Sequence, residues 1–166
     1  MVSAEGEARW GDQVMRCALG PGGAAIGKRE GDGTTPVGSF PLRRLLYRPD
    51  RLRPPLTGLP ISPISPADGW CDDPADSLYN RPVQLPYRAR HEKLWRADDV
   101  YDLIAILGHN DDPVVPGAGS AVFLHVARPD FNPTAGCIVL ALGDLLAMLA
   151  TAGPGDRVVV VPAPAA

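Results

Sequence analysis

Short apolar runs broken by turn residues dominate this chain, and few stretches are long enough for a helix. Val14, Arg16 and Ala18 alternate with Met15, Cys17 and Leu19, the period of two expected of a strand with one face in a core. Trp10 to Leu19 is therefore read as a first hairpin strand, with Gly11-Asp12 as its turn and Gly20-Pro21-Gly22-Gly23 ending it. Ser39 to Tyr47 is a second strand, and Asp99 to Leu107 is the best strand in the chain. Ala121 to Val126 and Cys137 to Leu142 are short apolar runs, and Arg157 to Val161 reads as a closing buried strand. The clearest helix is Asp144 to Ala152, with Asp144 near its start as a cap and Gly153-Pro154 ending it. The pattern predicts a mainly β fold with a few helices.

Composition sharpens that picture. The 166 residues suit one domain, 1–166, while 19 prolines and 18 glycines mark it as rich in loops. Prolines recur from Pro49 to Pro86, so residues 48–98 or thereabouts are expected to be a long irregular region, read as a wall of a substrate groove. Within it Trp70 and Tyr79 can offer apolar faces to a ligand, or Trp70 can instead anchor the loop to the core. A net charge of −3 with no cluster of Lys, Arg and aromatics argues against nucleic acid as a partner. Neither nucleotide-binding glycine fingerprint is present around Lys28 to Pro36, and no cofactor is expected. No apolar run approaches a membrane span, no signal peptide is visible at the N-terminus, and a monomer is expected.

Candidate chemistry converges on residues 121–140. His125 lies near the end of one apolar run and Cys137 opens the next, with Arg128-Pro129-Asp130 and Asn132-Pro133-Thr134 as turn formers between them. Such a loop can bring a thiol and an imidazole side by side. The imidazole would lower the thiol pKa and hold its proton, although a lone Cys is also a common buried apolar residue. Gly136 permits close approach of a substrate, leaving the Gly136 and Cys137 N–H groups to bind an oxyanion. His109, just past the end of a strand, is read as an auxiliary neighbour of the site, and His91 as a surface residue. Three cysteines cannot all pair, and the strand position of Cys17 favours simple burial over a bridge to Cys71.

Thr34-Thr35-Pro36-Val37-Gly38-Ser39-Phe40, a strand bearing His125, and Thr134-Ala135-Gly136-Cys137-Ile138 follow one another in the order seen in the L,D-transpeptidase catalytic domain, the YkuD-like fold. The resemblance covers roughly residues 14–162. The family's pattern is Thr-Pro-x-Gly-x-Phe, then a His-containing strand, then Ser/Thr-His-Gly-Cys-x-Arg. Ala135 replaces the second histidine, Val139 replaces the arginine, and the His-to-Cys interval is shorter, so a divergent subgroup is implied.

By this resemblance the fold is a mainly β, YkuD-like β-sandwich with a helix after the Cys strand. The implied function is acyl transfer between peptidoglycan stem peptides in the periplasm or cell envelope. Cys137 would form a thioester, His125 would move protons, and Gly136 would help bind the oxyanion. His109, Asn110, Arg128, Thr134, Trp70 and Tyr79 would contact substrate. The altered Cys motif favours an L-Ala to diaminopimelate (1,3-type) link over the diaminopimelate to diaminopimelate (3,3-type) link. A cysteine peptidase or amidase, a zinc hydrolase using His109, His125 and Cys137, and a non-catalytic wall-binding module are the rival readings. The block of motifs contains no His-Glu-x-x-His or paired-Cys spacing, and no metal is expected.

Overall fold

The structure is a computed structural model that describes residues 1–163. A hairpin of β1 (Glu7–Trp10) and β2 (Gln13–Ala18) opens the chain, turning at Gly11-Asp12. The brief β3 (Ala24–Ala25) and β4 (Thr35–Pro36) pair with each other and lead into the long β5 (Gly38–Tyr47). Then come β6 (Ile61–Pro63), β7 (Asp68–Cys71), β8 (Pro82–Gln84) and β9 (His91–Lys93). The remaining elements are β10 (Leu103–Leu107), β11 (Phe123–Val126), β12 (Ile138–Leu140), α1 (Leu142–Thr151) and β13 (Arg157–Val160).

The main sheet runs β1-β2-β12-β11-β10-β5-β13, with β6 attached to β5. Val2 bridges both Val160 of β13 and Ala8 of β1, so the two ends of the sheet meet. Closure of this kind removes unpaired edges that would otherwise invite another strand.

Alternation along the central strands decides what each face does. Leu103, Ala105 and Leu107 of β10, Leu124 and Val126 of β11, and Ile138 and Leu140 of β12 join one core, with Leu145, Met148 and Leu149 of α1. Replacing such a buried leucine by alanine costs about 2–5 kcal/mol. Ile104 and Ile106 of β10 and Phe123 of β11 face the other way, with Tyr101 and Cys137, against Trp70 and Trp95. Both faces of these strands are covered, which explains why they read as nearly unbroken apolar runs.

The region from 48 to 98 is more ordered than its prolines imply. It holds β6 and a separate three-stranded sheet in the order β8-β7-β9. These strands have three or four residues each, too short for an alternating pattern to stand out. Arg48, almost wholly buried, stacks over Trp95 at 3.7 Å and donates to Asp50 and the Arg96 carbonyl. Arg51 ties down the Ala97 and Asp98 carbonyls and Asp102.

The helix also differs in one detail: Asp144 is not its cap. Ala141 occupies that position without a side-chain cap, and Asp144 lies in the first turn, where its charge suits the positive end of the helix.

Candidate active site

Strand parity puts His125 and Cys137 on one face. In the parallel β11–β12 pair Leu124 lies opposite Ile138 and His125 opposite Val139. Leu124 and Ile138 point into the α1 core, so Phe123, His125, Cys137 and Val139 belong to the opposite face. Extending the register places Cys137 beside Phe123, and the Phe123 N–H indeed donates to Cys137 Sγ at 3.4 Å. His125 is then the diagonal neighbour of Cys137. A strand spacing of ~4.8 Å and two residues of ~3.3 Å rise put their Cα atoms about 8 Å apart, a gap that a thiol and an imidazole can span together.

Both side chains line a cavity of about 410 Å³, with Gly136, Thr134, Ala135 and Arg128 among its other walls. No direct hydrogen bond joins the two among the described residues. The thiol donates to the Ala121 carbonyl at 3.2 Å. His125 Nδ1 lies 3.1 Å from Val100 O and 3.0 Å from Val126 O. Carbonyl oxygens only accept, so Nδ1 carries the proton and Nε2 is left with its lone pair. Tyr101 holds the ring edge-on, 5.0 Å between centroids.

Burial sets the charge states. It pushes the His125 pKa down to about 4, against the raising effect of the Val126 and Val100 carbonyls. It pushes the Cys137 thiol up to about 12; the nearby Glu92 adds to the rise, while the Phe123 N–H and Lys28 oppose it. The resting pair is therefore neutral thiol and neutral imidazole. This corrects the expectation of a thiol whose pKa is lowered by its histidine. Desolvation outweighs every group that would stabilise the thiolate.

The expectation of two free oxyanion donors also needs correction. The Gly136 N–H donates to Thr134 Oγ1 at 3.1 Å, and the same hydroxyl donates to the Cys137 carbonyl at 2.6 Å. Thr134 thus acts as a clasp on the Cys loop, and of the two expected donors the Cys137 N–H has no partner among the described residues. Gly136 itself has φ +131°, and a Cβ there would lie 2.6 Å from the Thr34 carbonyl oxygen. The Thr34 to Phe40 segment therefore presses directly on the Cys loop. Between them Lys28, buried, donates to Thr34 O at 2.8 Å and to Asp32 at 2.9 Å.

Four expected substrate contacts lie off the cavity wall. His109 Nε2 is 3.0 Å from Ala118 O, and its ring packs against Phe40. Burial lowers its pKa. Asn110 donates to Val115 O and Gly119 O, holding its own loop together. Trp70 packs edge-on to Phe123 and donates to Asn80, the anchoring alternative. Tyr79 is buried with its hydroxyl on Glu30. In each case a polar atom of the side chain is taken by a backbone carbonyl, a carboxylate or the Asn80 amide. His109, His125 and Cys137 are accordingly not gathered for zinc, and no group of three His, Cys, Asp or Glu among the described residues is placed to hold a metal.

Other residues take those places. His91, Glu92, Asp72 and Arg96 from the 48–98 region, with Lys28, Glu30, Tyr101 and Ser120, complete the wall. His91 is thus a lining residue instead of a surface one. Its neighbours Arg90 and Glu92 gave a polar run with no periodicity, so sequence offered no signal for its placement. Asn80 is a hub: it receives Trp70 Nε1 and the Ala121 N–H, and donates to His109 O and Asn110 O. Ala121 is the residue whose carbonyl takes the Cys137 thiol. All three cysteines are free and buried, and burial raises Cys17 to about 11.

A family model described as the L,D-transpeptidase catalytic domain (YkuD) matches residues 6–160, nearly the whole chain. Proteins of this family are cysteine-dependent L,D-transpeptidases that act on peptidoglycan, generally outside the cytoplasm. No curated protein and no solved structure matches the chain. No helix among the described residues is long and apolar enough to cross a membrane. With the mostly β architecture and the match over nearly its full length, the chain belongs to the YkuD L,D-transpeptidase catalytic domain family.

Proposed function

We propose that the chain joins peptidoglycan stem peptides through a thioester on Cys137, with the L-Ala to diaminopimelate link as its product. The observation that carries this reading is the shared cavity: Cys137 Sγ and the lone pair of His125 Nε2 belong to one face of the β11–β12 pair. As the sulfur attacks the donor carbonyl, its proton passes to Nε2. The Nδ1 contacts to Val100 O and Val126 O hold the ring in the tautomer that can receive it. The Cys137 N–H stabilises the oxyanion. His125 then protonates the leaving amine, and the thioester waits for the amine of a second stem.

Because the resting pair is neutral, charge forms only once a substrate carbonyl is present to accept it. Water then has little thiolate to meet. The choice of link rests on the loop beside the nucleophile. Ala135 is exposed on the cavity wall, and Val139 is buried in β12, so neither position offers a ring or a cation to the donor. Arg128 lines the cavity and reaches Asp98 at 3.3 Å, which leaves it as the cation beside the donor's carboxylate.

Incubating isolated sacculi with the protein and analysing released muropeptides by mass spectrometry tests the proposal. Cross-linked dimers with an L-Ala to diaminopimelate bond, absent with Cys137→Ala, are expected. Dimers joined through two diaminopimelates would overturn the link assignment. Trimmed monomers alone would mean that water resolves the thioester and that the chain is a peptidase.

A further inference from the structure

Resolving a thioester with an amine involves more protons than His125 can hold. The acceptor arrives as an ammonium. It must lose one proton before its nitrogen can attack and a second once the C–N bond has formed. Nδ1 is already committed to two carbonyls, so the imidazole can take one of these, the one that returns to sulfur. A carboxylate on the wall of the same cavity would take the other.

Three carboxylates line that cavity: Glu30, Asp72 and Glu92. Glu30 receives the Tyr79 and Ser120 hydroxyls, and Asp72 is paired with Arg90 at 3.0 Å. Glu92 has one hydrogen bond, from Tyr101 Oη to Oε1 at 2.6 Å. Its Oε2 has none, and no buried side-chain oxygen or nitrogen among the described residues lacks a partner. Oε2 therefore keeps some exposure, on a residue that lines the cavity. Of the cavity's cations, Arg96 is held by both oxygens of Asp98 at 2.7 Å, and Lys28 is spent on Asp32 and Thr34. A largely desolvated carboxylate with no cation of its own is costly, and an incoming ammonium would offset that cost. Tyr101 touches both groups, with its hydroxyl on Glu92 and its ring against His125.

We propose that Glu92 is the catalytic base of the second half-reaction: it receives the acceptor's ammonium and takes its first proton. This rests on the thioester mechanism proposed above. The N–H bond breaks as the Glu92 O–H forms. The freed lone pair then makes the C–N bond to the thioester carbon. His125 takes the second proton from that nitrogen, the C–S bond breaks, and sulfur leaves with the proton from His125. Glu92 returns its own proton to solvent, so ammonium plus thioester becomes amide, thiol and one released proton. Desolvation raises the Glu92 pKa, against the Tyr101 hydrogen bond and Arg96, with Asp72 and Glu30 adding to the rise. A raised carboxyl is the better proton acceptor.

Glu92→Gln keeps the shape and the acceptor oxygen for Tyr101 but cannot take a proton. The test follows thioester formation by intact mass with a disaccharide-tetrapeptide donor. It then follows release to two nucleophiles: a stem peptide bearing a free amine, and hydroxylamine, which is mostly unprotonated at neutral pH. Expected are acylation no slower than wild type, since losing the Glu92 charge can only ease ionisation of the Cys137 thiol, a roughly 10²-fold slower transfer to the stem amine, and transfer to hydroxylamine no slower than wild type. Tyr101→Phe, which leaves the carboxylate in place, should divide the two nucleophiles in the same sense by a smaller factor. Slowed acylation, or an equal loss with both nucleophiles in both variants, overturns the assignment. Absence of a thioester on the wild-type protein would instead refute the mechanism on which it rests.

Discussion

The protonation state of His125 makes stability depend on acidity in a way that can be computed and checked. Unfolded, the imidazole binds a proton near its ordinary value of 6.5; folded, burial holds it off until about 4. Between those values the unfolded chain binds more protons, so stability falls as the pH drops from 6.5 toward 4. Above 6.5 the ring is neutral in both states and contributes no slope. A drop of that size corresponds to about 3 kcal/mol at full extent. Urea unfolding at a series of pH values, on wild type and His125→Asn, measures it. Asparagine keeps an N–H for the Val100 and Val126 carbonyls and has nothing to titrate. Carboxylates such as Asp50 and Asp98, whose pKa values are lowered by Arg48 and Arg96, lose support at lower pH and do so equally in both proteins. The difference between the two curves should open across the window from 6.5 to about 4. Parallel curves would refute the neutral, desolvated ring, and with it the claim that Nε2 rests with a lone pair ready for the thiol proton.

Two further expectations concern the surroundings of that pair. Gly136→Ala combines a φ of +131° with a Cβ 2.6 Å from a backbone oxygen. Strain and overpacking of that kind cost about 2–4 kcal/mol together, a fall of about 5–15 °C in melting temperature. Gly143→Ala in α1, with open space at its Cβ, should instead raise the melting temperature, and equal behaviour of the two variants would contradict the packing described for Gly136. His125→Ala should lose about 10²–10⁴-fold in thioester formation by intact mass. His109→Ala should keep most of it, since its ring faces Ala118 and Phe40 away from the cavity wall; the reverse ranking would mean that the wrong histidine has been assigned.

What sequence alone determined was local. The strands around Met15, Leu45, Ile104, Leu124 and Ile138 were legible because burial on one or both faces leaves either alternation or an unbroken apolar run. The helix after Cys137 was legible in its length and its glycine-proline end. The nearness of His125 to Cys137 followed from two short strands with turn formers between them. The charge states were not legible, because a pKa depends on which groups surround a side chain, and chain order does not give that. Nor were Lys28, Glu92 and Tyr101, since each reaches the cavity through contacts distant in sequence, such as β9 pairing with β7 and Lys28 closing on Thr34. His109 and Trp70 lie off the cavity wall for the complementary reason. A polar or aromatic side chain beside a loop advertises binding, yet folding supplied each with a partner from elsewhere in the chain, the Ala118 carbonyl and Asn80. Residue type says what a side chain can do, and only the tertiary structure decides whether its capacity is already spent.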